Sequence, residues 1–169
     1  MAQPALADLA AAHGELAAFV RGLPDEALDW RADDESWSLK QTIAHVTHAY
    51  DFYLMIVEET FVAGFGTVQL HPELAGWQRL LATDAAVNAC TTVSAALDLF
   101  NQAYERLNSV LEHLTLEELD HEFVLLPLRP DAEAVTRTLR RRVLESAADH
   151  LREHQTQMSD TLAGWRSSR

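Results

Sequence analysis

The sequence predicts an all-α protein that folds as a four-helix bundle with a long crossover connection. Four segments carry apolar residues at three- and four-residue intervals, which is the spacing of one face of an α-helix. Two connections, 62–83 and 115–135, are long and contain glycines or prolines. Connections of this length favour a bundle with a crossover over four helices joined only by short hairpin turns.

The four predicted helices begin and end at recognisable residues. Helix one stops near Gly22 and Pro24, and Ser38 is a predicted N-cap for helix two. An apolar stripe from Val87 to Leu111 defines helix three, and helix four follows an irregular connection in which two prolines forbid a regular helix. The predicted helices, within a single domain of residues 1–169, cover roughly 3–22, 39–61, 84–113 and 136–165.

The composition indicates a folded protein with an acidic surface. Hydrophobic residues make up 48% of the 169 residues and charged residues 23%, which is the balance of a helical globular chain and not of a disordered one. The formal net charge is -13, so the average surface repels phosphate backbones and anionic lipid headgroups. We therefore expect no nucleic-acid partner.

The cysteine count and the apolar runs bear on location. The single cysteine, Cys90, cannot form an internal disulfide, and its place in the apolar stripe of helix three indicates a core residue. No run reaches the ~18 to 20 consecutive apolar residues that a membrane span requires. We therefore expect a cytoplasmic protein without a membrane partner.

Two histidines in the predicted last helix, in the stretch DHLREHQTQM, are one helical turn apart. On a helical wheel His150 and His154 fall in the apolar arc, whereas Arg152 and Glu153 fall outside it. Core histidines held by hydrogen bonds are the simpler alternative. Two buried imidazoles need several partners, however, and each unsatisfied ring costs roughly 1–3 kcal/mol. A shared metal ion would satisfy one nitrogen of each ring.

A third metal ligand is available in helix two. The wheel places His45 at the edge of the buried face and His48 on the polar side, where it can pair with Asp51. His45 therefore joins His150 and His154 as a predicted ligand. Three imidazoles leave at least one coordination position open, which permits catalysis. Zinc is the first candidate, and imidazole also suits nickel, iron, cobalt and copper.

The sequence resembles a known family of metalloenzymes. The stretches SWSLKQTIAHV and DHLREHQTQM, with LPDEALDW ahead of them, are similar to the DinB-like, or YfiT-like, superfamily over essentially the whole chain. The resemblance implies a four-helix bundle, a homodimer and one divalent ion on His45, His150 and His154. It also implies chemistry of two kinds: transferases and isomerases that use bacillithiol, mycothiol or glutathione, and metal-dependent hydrolases.

Three functions remain open, all with a small-molecule ligand. The leading hypothesis is a metal-dependent transferase in which the ion lowers the pKa of a low-molecular-weight thiol. The second is a hydrolase that uses a metal-bound water, although Asp149 and Glu153 point away from the histidines and leave no evident general base. The third is a non-catalytic metal-binding or ligand-binding stress protein. Arg129, in the irregular connection, is a candidate to guide an anionic thiol cofactor.

Overall fold

The computed structural model describes residues 4–69, 84–126 and 133–169. Four long helices, the first, second, fourth and sixth along the chain, form a bundle, which confirms the predicted fold class. In chain order the helices are α1 (Pro4–Arg21), α2 (Leu39–Val62), α3 (Asp84–Ala89), α4 (Val93–Leu111), α5 (Leu116–Asp120) and α6 (Ser146–Ser167).

The two terminal helices, α1 and α6, lie side by side and run in the same direction. Arg152 pairs with Asp8 in the first half of both helices, while Trp30, beyond the end of α1, packs on Gly164 near the end of α6. A Cβ at Gly164 would lie 2.6 Å from the Trp30 ring, so only glycine fits this contact without displacing the ring. α1 and α2 occupy opposite corners of the bundle, because each packs against both α4 and α6.

Helix α2 begins at a reciprocal capping box, as the sequence predicts for Ser38. The Gln41 backbone N–H donates to the Ser38 hydroxyl at 3.2 Å, and the Ser38 N–H donates to Gln41 Oε1 at 2.9 Å. Two of the otherwise unsatisfied donors at the helix start are thereby paired, an arrangement typically worth about 1 kcal/mol. The cap fixes the residue at which α2 starts.

A small sheet is formed by parts of the two long connections and by the first residues of the predicted fourth helix. Strands β1 (Thr67–Gln69), β2 (Glu122–Leu126) and β3 (Val135–Thr138) pair in that order, with β1 and β2 parallel and β2 and β3 antiparallel. β2 alternates buried and more exposed side chains, the pattern of a strand with one face inward. These strands have three to five residues, too few for periodicity to reveal.

The predicted third helix consists of two helices, because the chain leaves helical geometry at Cys90–Thr92. Thr92 is extended, with φ -140° and ψ 164°, and its side chain accepts a hydrogen bond from the Ala95 N–H as the N-cap of α4. Cys90 lies in the break and is 1% exposed, which agrees with its predicted place in the core. The apolar stripe continues through the break, which is why the sequence pattern suggests one helix.

The predicted fourth helix begins three residues late and contains a π-helical segment. Residues 136–138 belong to β3, and the turn over Arg140–Glu145 has π-helical hydrogen bonding before α6 starts. The Ser146 hydroxyl donates to the Arg141 carbonyl at 2.9 Å and so connects the first residue of α6 to this segment. The segment joins the sheet directly to the helix that carries His150 and His154.

The bundle core consists of large aliphatic and aromatic side chains from all four long helices. Leu16 of α1, Tyr50 of α2, Phe100 of α4 and Leu151 of α6 are each at most 1% exposed. In the part of the chain that the structure describes, no helix combines the length and the hydrophobicity needed to cross a lipid bilayer.

Candidate metal centre

Three histidine side chains meet where α2 packs against α6. His45 lies two turns into α2, and His150 and His154 are one turn apart on the same face of α6. The ring centroid of His45 lies 5.0 Å from that of His150 and 4.7 Å from that of His154. The centroids of His150 and His154 are 4.4 Å apart. The structure thus brings together the three residues that the sequence nominates as metal ligands.

The geometry of the three rings fits a single cation. One nitrogen of each ring lies within 4.8 Å of the nitrogens of the other two. Zinc bound to imidazole at about 2.0–2.1 Å in tetrahedral geometry would need these nitrogens about 3.4 Å apart. Three ligands would leave one tetrahedral position open for a reactant.

Two of the three histidines are held in the protonation state that metal ligation requires. Burial, and after it the neighbouring histidines, lower the pKa of both His45 and His150 to about 4. A protonated imidazole has no lone pair to donate, so these rings are ready to bind a cation at neutral pH without first losing a proton.

Gln157 orients the ring of His154. Its Oε1 lies 2.7 Å from Nδ1 of His154, and an amide oxygen can only accept, so Nδ1 carries the proton. The lone pair of His154 is then on Nε2. Metal-binding histidines commonly have such a partner on the other ring nitrogen, and it fixes both the tautomer and the ring plane. The sequence offers a signal for this contact, since Gln157 follows His154 by three residues.

Trp37 covers one side of the cluster. Its ring is stacked on that of His154 with the centroids 6.1 Å apart, and it meets His45 edge-on at 5.1 Å. Trp37 immediately precedes the capping residue Ser38, so the cap that starts α2 also holds the indole in place. Helical periodicity gives no signal for this contact, because Trp37 lies in the connection ahead of α2.

Carboxylates are absent from the group. Within residues 4–69, 84–126 and 133–169, the potential metal-binding cluster comprises the three histidines without an aspartate or glutamate. Asp149 and Glu153, next to the histidines in sequence, are both exposed. They point away from the rings, as the helical wheel predicts.

Two further histidines, His48 and His13, lie outside the cluster. Arg129 falls outside the described residues. His48 is separate from the cluster, but its ring nitrogens are buried and not at the surface. It lines a cavity of about 170 Å³ between α2, α3 and α4, where Asp51 pairs with Arg106 at 2.7 Å. His13 is half-buried, with Nδ1 3.0 Å from the hydroxyl of Tyr50.

Comparisons with known proteins give one sequence family and one similar fold. The sequence profile of the DinB superfamily matches residues 8–158. A search of curated proteins gave no match. Among solved structures, YfiT from Bacillus subtilis, described as a probable metal-dependent hydrolase with an unusual four-helix bundle topology, is similar with a TM-score of 0.68 and 18% identity. The alignment covers 93% of this chain and 83% of that one, and at this identity it shows a shared fold.

Proposed function

This chain belongs to the DinB superfamily, and from that membership and the three-histidine cluster we propose that it is a divalent-metal-dependent enzyme. The proposed ligands are His45, His150 and His154, and the proposed ion is zinc or nickel, both of which imidazole binds well. The observation that carries the proposal is the convergence of three half-buried imidazoles from two helices, without a carboxylate, on one point.

The residues around the cluster are suited to catalysis more than to a closed structural site. Three protein ligands leave a position for a reactant, whereas structural zinc sites normally have four. When bound there, a divalent ion would lower the pKa of a coordinated thiol or water. Trp37 limits access of bulk water from one side, and Gln157 holds the His154 ring in position.

We propose transfer chemistry with a low-molecular-weight thiol of the bacillithiol, mycothiol or glutathione type as the reaction. A thiol activated at this site becomes a nucleophile by losing its own proton, and it needs no second general base. Hydrolysis usually employs a carboxylate close to the reacting water. The nearest acids in sequence, Asp149 and Glu153, are exposed, which favours the thiol reaction.

Hydrolysis is the second candidate. It is favoured by the description of the similar Bacillus subtilis protein as a probable metal-dependent hydrolase. A water activated by the ion would attack an ester or amide carbonyl, and the developing negative charge would need a hydrogen-bond donor.

The homodimer that the family resemblance implies is also a proposal, which sedimentation velocity would test.

The deciding experiment compares the two reactions on one preparation. Zinc-loaded and nickel-loaded protein would be assayed for conjugation of glutathione, bacillithiol or mycothiol to an electrophilic aryl halide, and for hydrolysis of activated esters without thiol. Metal-free protein and His154→Ala would serve as controls. We expect metal-dependent and thiol-dependent turnover that His154→Ala lacks. Hydrolysis without thiol would favour the second candidate, and turnover in neither assay would contradict both and indicate a non-catalytic metal-binding protein.

A further inference from the structure

Arg142 has an unusual environment at the start of the last helix. Its guanidinium carbon lies 5.6 Å from the ring centroid of Phe52 and 6.0 Å from that of Tyr53. The side chain is half-buried, and it has no hydrogen-bond or ion-pair partner among the described residues. Rings stabilise a cation through their faces, and they leave the five N–H donors of the guanidinium available to a ligand.

Tyr53 offers a second hydrogen-bond donor beside Arg142. The tyrosine is only 7% exposed, and within the described part of the chain its hydroxyl makes no hydrogen bond. Burial raises the pKa of Tyr53, so the hydroxyl keeps its proton at neutral pH. The positive charge of Arg142 is close enough to act on that pKa, which places the two groups side by side.

Among residues 4–69, 84–126 and 133–169, no acidic group forms an ion pair with Arg142. Asp149 and Glu153 are near enough to influence Tyr53, but neither forms an ion pair with Arg142 within the described residues, and Asp149 lies 3.8 Å from Arg152 instead. The charge that most affects Arg142, after burial and Tyr53, is a second cation, Arg137. A half-buried cation without a counter-charge is unfavourable, and a bound anion would relieve it.

The donors lie along the same helix interface as the three histidines. Phe52 and Tyr53 follow His45 by seven and eight residues on α2, and Arg142 precedes His150 by eight residues on the other helix. Two helical turns separate the two sites on each helix, which corresponds to about 10–12 Å. Residues seven apart share a helix face, so His45 and Phe52 point to the same side of α2.

We propose that Arg142 and Tyr53 bind the carboxylate of an elongated substrate or cofactor whose opposite end reaches His45, His150 and His154. The inference rests on the proposed function of the histidine cluster. A carboxylate matches the forked guanidinium with two parallel hydrogen bonds and accepts a third from the tyrosine hydroxyl. The separation of about 10–12 Å selects a molecule of the size of a short peptide, with its reactive group and a carboxylate about that far apart.

The test measures binding and not turnover. Glutathione and its diethyl ester, in which both carboxylates are neutral, would be titrated calorimetrically into zinc-loaded protein. We expect wild type to bind glutathione at least about 10-fold more tightly than the ester, and Arg142→Gln to bind the two equally. Arg141→Gln, at the exposed neighbouring position, is the matched control and should keep the preference. Tyr53→Phe should reduce it by a few-fold.

The outcomes separate this inference from the proposed function. Equal binding of both ligands by wild type, or a preference that persists in Arg142→Gln, would overturn the role of Arg142. Binding of the ester depends on the thiol end alone, so its loss in His154→Ala reports on the histidine site independently. Circular dichroism spectra and thermal melting of each variant would confirm that the fold is retained.

Discussion

The indole of Trp37 lies parallel to the imidazole of His154, with the two planes 7° apart. No other tryptophan within the described residues contacts the histidine cluster, since Trp30 packs on Gly164 and Trp165 contacts Arg169. Trp37 is therefore a natural optical reporter of cation binding at the three histidines.

The first prediction uses this reporter. Nickel bound at the cluster should quench the emission of Trp37, because quenching by an open-shell ion falls steeply with distance. Most of the nickel-dependent change in fluorescence should disappear in Trp37→Phe and persist in Trp165→Phe. Equal quenching in the two variants would place the ion elsewhere.

A second prediction concerns which histidines retain the ion. Purified protein should carry about one divalent ion per chain, the number that three converging ligands support. His150→Ala should lose the ion on dialysis because it removes a ligand, whereas His48→Ala, which alters the separate cavity, should retain it. Elemental analysis checks both variants, and equal metal content would show that the cluster is not the binding site.

The third prediction addresses Gln157. Gln157→Leu removes the acceptor for Nδ1–H of His154, which frees the ring to rotate and to change tautomer. We expect the affinity for zinc to fall about 10- to 100-fold, and Gln157→Glu, which keeps the acceptor, to restore it. Competition with a chromophoric chelator measures the affinity. Gln155→Leu is the same substitution at a position without this contact, and an equal loss there would contradict the role of Gln157.

A fourth prediction links His13 to the pH dependence of stability. Burial lowers the pKa of His13 from its ordinary 6.5 to about 4, so the unfolded chain binds more protons between these values. The stabilising contribution of the neutral ring is complete above pH 6.5 and is lost as the pH falls towards 4.

Denaturant unfolding of metal-free protein at pH 7.5 and pH 5 would test this link. The loss of unfolding free energy between the two pH values should be smaller in His13→Phe than in wild type, by roughly 1 kcal/mol after allowance for partial exposure. His113→Phe, at an exposed histidine, should behave as wild type. An unchanged pH dependence in His13→Phe would contradict the buried neutral state.

Helical periodicity predicts the bundle and the convergence of the histidines, because both depend on a regular 100° step over many residues. The apolar face of each helix places its own histidine, His45 on α2 and His150 on α6. Periodicity does not predict the contact between Trp37 and His154, because Trp37 lies in a loop and His154 is over a hundred residues away in the sequence. The strands and the break at Cys90–Thr92 are too short to interrupt the apolar periodicity, so the sequence does not reveal them. The contact of Arg142 with the rings of Phe52 and Tyr53 depends on a local π-helical turn, which periodicity does not predict either.

The widened turn over Arg140–Glu145 has a consequence for chain length. A π-helical turn accommodates about one residue more than the α-helix it interrupts, and each residue rotates an α-helix by about 100°. Deleting one residue in this segment would restore regular helical geometry, but it would rotate one side of the chain relative to the other by about 100°. Either β3 would then leave the sheet, or His150 and His154 would turn away from His45. We therefore expect variants of this protein that keep their function to tolerate substitutions within Arg140–Glu145 more readily than an insertion or a deletion there.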